Sequence, residues 1–498
     1  MHIGGWPAPA LRTSALSFAL VLAAAAMTAR ADETELVKGS NSSASSQPGS
    51  ELRAMENSSN DFSNDIQARK SYAIPAGEIV GFDFLLNEIN RHTIGGDYKS
   101  NIVSIRHNLQ HNWHTDTDPF TVNQLGHPYQ GSMYYGFARS AGLDFWESMG
   151  YTVAGSAMWE IAGENTPPSL NDQITTGFGG TLLGEALFRM SHLVLDQARL
   201  SSFWREVFAA AIAPPTGVNR LAFGERFDRI FASHEPVYDG RITLGVATNT
   251  EHRSGTSTIR QHTEEIADFS LDYGLPGKPG YSYDRPFDYF TFKITASSAN
   301  GFETLMTRGL LFGTDYAAGN NYRGVWGLYG TYDYIEPQIF RVSTTALSLG
   351  TTGQWWLSRV IALQGSALLG AGYGAVGTVH GTADNDYHLG VAPQSLVALR
   401  AIFGDRVSLD ATIRENFVTR LGETGPSGHD NIIRTDAALT VRVHKQHAVA
   451  IRYVVSRRDT STSDIGNIVQ RSATVGLFYT YLGGDRFGVV DWREGGAQ

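Results

Sequence analysis

Two glutamates four residues apart, Glu160 and Glu164, stand in the run W-E-I-A-G-E-N. On a helix they share a face, where like charges repel unless a cation, a metal or a shared proton lies between them. Arg139 or Arg189 is a candidate source of that positive charge. Close carboxylates of this kind either bind cations or separate their pKa values for acid–base work. Downstream, Glu185, Arg189 and His192 recur at spacings of four and three, again one helical face. The plainer reading of Glu185 with Arg189 is an internal ion pair. His127 precedes Pro128, which presets a helix start. An imidazole there serves as base or ligand, or simply bonds a neighbouring carbonyl. Asp172 follows the break at Pro167-Pro168 and reads first as a helix N-cap. An enzyme built from these groups would use His127 or His192 as base and Glu160, Glu164 or Glu185 as the orienting carboxylate. Ser148, Ser156 and Ser191 are the hydroxyls close by in sequence.

Three other motifs are weaker. H-N-L-Q-H-N-W-H-T-D-T-D, from His107 to Asp118, gathers three His and two Asp. Read as a strand, it separates His107 and His111 by about 13 Å, too far for one ion. Pro426-Ser427-Gly428-His429 matches one lipid-phosphatase motif, but the companion motifs are reversed in order or missing. Gly177-Phe178-Gly179-Gly180 has no preceding strand and lacks the nucleotide fingerprint. The expectation is therefore no metal and no cofactor.

The elements that must hold these residues divide the chain in two. Residues 124–213 read as helix, rich in Gly131, Gly136, Gly155, Gly177, Gly180 and Gly184, which let helices approach closely. One of these helices, Ser201–Ile212, stops at Pro214-Pro215. From about Arg241 the pattern changes to period 2, as in Phe290, Phe292, Ile294 and Ala296 against Thr291, Lys293 and Thr295. Several runs reach about nine residues, enough for a tilted strand to cross a bilayer. The expected fold is a transmembrane antiparallel β-barrel of about 12–14 strands with an inserted helical subdomain. The stretches 78–89 and 102–110 read as further strands, so that 76–123 opens the barrel, 214–483 forms its main part and 484–498 is a tail.

Before these comes an N-terminus of export type. Arg12, the apolar run 15–27 and Ala29-Arg30-Ala31 make a signal peptide over residues 1–31. Residues 32–75, rich in Ser and Asn, read as a disordered linker. A net charge of -10 without any basic stripe argues against nucleic acid. The absence of cysteine excludes disulfides, thiolate metal sites and a Cys nucleophile.

The helical block also resembles a known family. Its pieces are Phe120 with Asn123, His127-Pro128-Tyr129-Gln130-Gly131, Tyr134-Tyr135, Ala138-Arg139, Trp159-Glu160, Glu164, Pro168-Ser169-Leu170-Asn171-Asp172 and Gly184-Glu185. Over about residues 118–196 these are similar to the bacterial family called domain of unknown function 3943. The resemblance implies an exported, outer-membrane protein and supplies no reaction. It marks Asn123, Arg139, Trp159 and Asp172 as binding or structural positions beside the catalytic candidates, and the helical spacing from Glu185 adds Arg189 and His192. Three functions follow as expectations: a barrel whose helical insert plugs the lumen or forms a periplasmic platform, an envelope-lipid hydrolase or acyltransferase, or a gated pore. The expected partners are outer-membrane lipid and an envelope lipid or small molecule held in the lumen.

Overall fold

The computed structural model describes residues 70–490, apart from 228–235, 255–258, 378–383, 421–426, 464–465 and seven single positions. The expected signal peptide and most of the expected linker lie outside the described residues. Twelve antiparallel strands close into one barrel, each paired with its sequence neighbours and β1 with β12. They are β1 (Tyr238–Arg253), β2 (Ile259–Tyr273), β3 (Phe290–Ser297), β4 (Thr304–Ala318), β5 (Tyr322–Ile335), β6 (Val342–Trp356), β7 (Ile361–Gly377), β8 (Tyr387–Phe403), β9 (Val407–Thr419), β10 (Gly428–His444), β11 (His447–Thr462) and β12 (Gly466–Leu482). At one end the connections 319–321, 357–360, 404–406 and 445–446 are short, although 274–289 is long. The other end carries most of the longer loops, among them 298–303, 336–341, 378–386 and 420–427.

The period-2 pattern separates the two barrel faces. One face is charged and crosses the lumen. Arg400 reaches Asp410 at 2.5 Å and Asp272 at 2.9 Å, and Arg241 reaches Asp410 at 3.2 Å. Lys293 and Arg452 both meet Asp268 and Asp436, and Arg414 meets Asp333. Arg400–Asp410, Lys293–Asp268 and Arg452–Asp436 join adjacent strands, but Arg400–Asp272, Arg241–Asp410, Lys293–Asp436, Arg452–Asp268 and Arg414–Asp333 join strands that are not neighbours and therefore bridge the interior. The other face is apolar. Leu347, Leu369, Val397, Ile413, Ile451 and Leu477 stand exposed on it. Such a belt suits hydrocarbon outside a membrane barrel.

On β2 to β5 the same outward face is buried instead. Phe269, Leu271, Phe290, Phe292, Tyr332 and Tyr334 form one core with Leu125, Tyr135, Leu182, Leu183 and Leu187 of the helices. Gly330 pairs with outward-facing Leu347, and a Cβ on Gly330 would lie 2.6 Å from Leu182. The helical unit therefore rests on the outer wall. This corrects the expectation that it plugs the lumen or sits beneath it. Crossing ion pairs fill much of the interior, whereas the exterior offers the helices a continuous apolar face.

The unit consists of α1 (Ala73–Thr93), α2 (Ile102–Gln110), α3 (His127–Ser140), α4 (Phe145–Met158), α5 (Leu170–Ile174), α6 (Gly180–Leu195), α7 (Ser202–Ile212) and α8 (Pro214–Phe223). Helices α1 and α2 replace the two strands expected in the stretch 76–123. In α1, Asp83, Asn87 and Asn90 are buried while Val80, Phe84, Leu85 and Ile89 are exposed. Its amphipathicity is inverted, as for a helix whose solvent is lipid. Pro214 and Pro215 end α7 as expected but also begin α8, where Pro suits the first turn.

What closes the barrel is the C-terminal tail, at the short-turn mouth. Trp356 Nε1 and Gln354 Nε2 donate to the Val490 carbonyl at 3.2 and 2.7 Å, and Gln364 donates to that of Gly488 at 3.1 Å. Phe487 packs with inward-facing Trp356, Ala362, Ile402 and Leu482.

Candidate acid–base site on the outer wall

Three helices of the unit loosen into π-helical turns: Val122–Gly126 leading into α3, Trp159–Gly163 ending α4, and Thr175–Gly179 leading into α6. Such turns aim side chains a regular helix would point elsewhere, and they recur at functional sites. Here they surround one group of polar residues. His127, the first residue of α3, places Nδ1 3.1 Å from the Thr176 hydroxyl and Nε2 3.9 Å from Asp172 Oδ2. Glu160 accepts the Ser169 N–H at 2.8 Å. Glu164 accepts the Trp159 indole N–H at 2.9 Å and the Thr166 hydroxyl at 3.2 Å. Asn171 donates to Asp172 at 3.0 Å and accepts the Asp116 N–H at 2.8 Å. The barrel contributes Tyr387 of β8, whose hydroxyl accepts from Asn123 at 2.8 Å.

Close packing makes this convergence possible. A Cβ on Gly131 would lie 2.0 Å from the Thr176 carbonyl oxygen, and one on Gly180 would lie 2.6 Å from Gly131 Cα. Glycine lets the backbones of α3 and α6 touch, which brings Thr176 to His127.

His127, Glu160 and Asp172 are almost fully buried, while Asp116, Asp118 and Glu164 are half-buried and form the open side. Burial pushes the carboxyls up, and they repel one another. Glu164 is pushed up to about 7 by burial, held back by His127 and raised further by Asp172 and Asp118. Asp118 is pushed up to about 6 by burial and by Asp116. Glu160 stands well above the usual range through burial, Glu164 and Asp172; so does Asp172, through burial and Asp116. The site therefore holds exchangeable protons near neutral pH. Among the described residues, no group of three or more His, Asp or Glu is placed to hold a metal ion.

The remaining candidates sit elsewhere. Glu185 lies between Arg189 Nε at 2.7 Å, Arg139 Nε at 2.9 Å and the Tyr135 hydroxyl at 2.7 Å. Arg189 continues to Asp288 at 3.0 Å and to the Pro286 carbonyl at 2.7 Å, tying α6 to the barrel loop 274–289. This is the internal ion pair extended into a fully buried network, and it leaves Arg139 and Arg189 unable to neutralise Glu160 and Glu164. His192 packs on the Phe188 ring at 4.2 Å and bonds the Phe188 carbonyl, outside the His127 group. Among the described residues, none of Ser148, Ser156 and Ser191 is a hydrogen-bond partner of His127. Asp172 is not the N-cap; Ser169 is, accepting the Asp172 N–H at 3.2 Å. Glu160 and Glu164 do not share a helical face, because the π turn intervenes and Glu164 is already extended.

Sequence reasoning missed Asp116, Asp118, Thr176 and Tyr387. The two Asp stand in the His/Asp-rich run, beyond the end of the strand expected over 102–110. His107 on α2 and His111 just past its end instead bring their rings to 4.4 Å at a tilt, and His114 bonds the Pro168 carbonyl.

Fold and site together define a closed, apolar-walled β-barrel that carries an acid-rich helical unit on its exterior. The family model described as "Domain of unknown function (DUF3943)" matches residues 112–215, the segment that carries the site. No curated protein matches the chain. Solved structures similar to it include an anion-selective porin from Comamonas acidovorans, with 8% identity, TM-score 0.23, and 50% of this chain and 100% of that chain covered. The outer membrane channel DcaP of Acinetobacter baumannii gives 8%, 0.23, 50% and 98%. The Pseudomonas putida toluene transporter TodX gives 8%, 0.20, 51% and 90%. Likenesses this distant do not bear on mechanism.

Proposed function

We propose that this is an outer-membrane barrel that works at its lipid-facing wall, where the His127 site hydrolyses or transfers an acyl ester of an envelope lipid. The observation that carries the reading is the convergence of His127, Glu160, Glu164 and Asp172 from separate helices on the barrel's exterior. The position favours a lipid: Trp113, Tyr129, Leu170 and Phe178, all close in sequence to site residues, are exposed large apolar side chains. The charge favours a neutral ester over a phosphate, because, among the described residues, the carboxyl cluster has no arginine or lysine partner to pair an anion. In this reading His127 takes a proton from water as the water oxygen attacks the ester carbonyl, and the Thr176 hydroxyl orients the ring. The C–O bond to the alcohol then breaks, and protonated Glu164 gives its proton to the leaving oxygen. Short turns would face the periplasm, with the longer loops outside.

The test uses purified protein in vesicles of phospholipid and lipid A, with acyl products followed by mass spectrometry. Wild type should release or transfer an acyl chain, and H127A and E164Q should not while still migrating as folded barrels. Unchanged lipid with the wild type, or full turnover by H127A, ends the catalytic reading. A non-catalytic lipid-binding platform is the second reading, supported by the absence, among the described residues, of a serine hydroxyl bonded to His127. It expects lipid retention without turnover.

A further inference from the structure

Within the barrel, a cavity of about 290 Å³ lies among the crossing ion pairs. Seven basic side chains and five carboxylates line it. Most cations there have a partner, as described above, and Arg434 lies 3.7 Å from Glu303. Arg308 of β4 does not. It is buried to 9% exposure, faces this cavity, and has no hydrogen bond or ion pair among the described residues; its Nε is fully enclosed without an acceptor. A buried guanidinium is costly unless paired, so an unpaired one beside a void implies an acceptor that the chain itself does not supply.

The rest of the lining indicates what that acceptor carries. Tyr289 and Tyr329 pack edge to face at 6.2 Å one step nearer the short-turn mouth, with Leu275 and Leu396 beside them. Met306 and Phe478 add further apolar surface. A cationic fork against apolar walls suits a carboxylate on a short apolar body. A smaller cavity of about 40 Å³ shares Arg434, Arg452 and Phe478 with the first and reaches Asn300 and Pro337 in the longer loops. Entry is thus from the long-loop side, because the tail closes the opposite mouth.

We infer that the lumen is a binding site for a small organic monoanion, a carboxylate held by Arg308, and that the site is independent of the one on the outer wall. The probes are hexanoate, its neutral counterpart hexanamide, and inorganic phosphate, each titrated against full-length protein in detergent by calorimetry. Hexanoate should bind saturably, hexanamide should not, and phosphate should bind more weakly for lack of an apolar body. R308M should weaken hexanoate at least about tenfold, the usual loss when a charge-assisted contact is removed. Equal binding of hexanoate and hexanamide overturns the inference; so does undiminished hexanoate binding by folded R308M, or no binding by wild type. If R308M does not fold, the contrast between hexanoate and hexanamide on wild type decides alone.

Discussion

Replacing Arg189 by methionine tests whether the buried ion network holds the helical unit on the wall. Arg189 is almost fully buried and makes three contacts, to Glu185, Asp288 and the Pro286 carbonyl. Truncating one partner of a buried pair costs about 3–5 kcal/mol, because the other charge is left uncompensated. Glu185 would keep Arg139 and Tyr135, whereas Asp288 would keep only the Arg285 backbone N–H at 2.8 Å and its guanidinium at 3.7 Å. The lower end, about 3 kcal/mol, is therefore expected. With a urea slope of about 1–3 kcal/mol/M, the midpoint for loss of helical circular dichroism should fall by about 1–3 M. The strands should stay folded, as read by heat-modifiable migration in gels. Adding D288N should recover part of the loss, since it removes the orphaned charge. An R189M midpoint within about 0.3 M of wild type, an order below the expected shift, would refute the assignment.

Three further outcomes follow. Deleting residues 124–213 should leave conductance in planar bilayers unchanged, because the helices lie outside the lumen; a rise would restore the plug. G131A or G180A should force α3 and α6 apart, at a cost of about 1–3 kcal/mol or more, and should lower the urea midpoint for the helices. The raised carboxyls set a pH dependence. Glu164, near 7 when folded against 4.5 otherwise, binds its proton more tightly in the folded unit. Its contribution is thus most favourable below about pH 4.5, falls as pH rises toward 7, and is level above. E164Q should flatten the helical stability profile across that window, and an unchanged slope would contradict the buried carboxyl.

The strands were legible because all but β3 run for a dozen or more residues in a largely period-2 pattern, and 12 closed strands fall within the expected range. The location of the helices was not. A strand face turned to lipid and one turned to a helix need the same apolar residues, so Leu347 and Phe292 look alike in sequence. Helix α1 was misread because Ile79, Gly81, Asp83 and Leu85 alternate by chance over a short span. Its truer signal was the helical spacing of Asp83, Asn87 and Asn90, the reverse of a soluble helix. At the site, His127, Glu160, Glu164 and Asp172 were legible by residue type, but the π turns that gather them leave no mark in spacing. Asp116 and Asp118 went unused because they were weighed only with the neighbouring histidines, and nothing in their spacing points to Asp172 so much further along the chain.

The positions of the polar residues argue for one division of labour. In the barrel, charge is satisfied across the lumen by opposite charge, Arg400 with Asp272 and Arg452 with Asp268, which is what a rigid filler requires. In the helical unit the Glu185 network does the same for α3 and α6. The His127 group differs, because its carboxyls meet other carboxyls, hydroxyls and amides and have no arginine among them. A fold able to pair buried charges elsewhere leaves this cluster unneutralised, at a point where three helices give up regular geometry to build it. Stability alone would favour Gln or Asn at Glu160 and Asp172, which keep the hydrogen bonds without the repulsion. The function of the helical unit should therefore be sought at these protons, and E160Q and D172N should make the unit more stable while removing whatever it does.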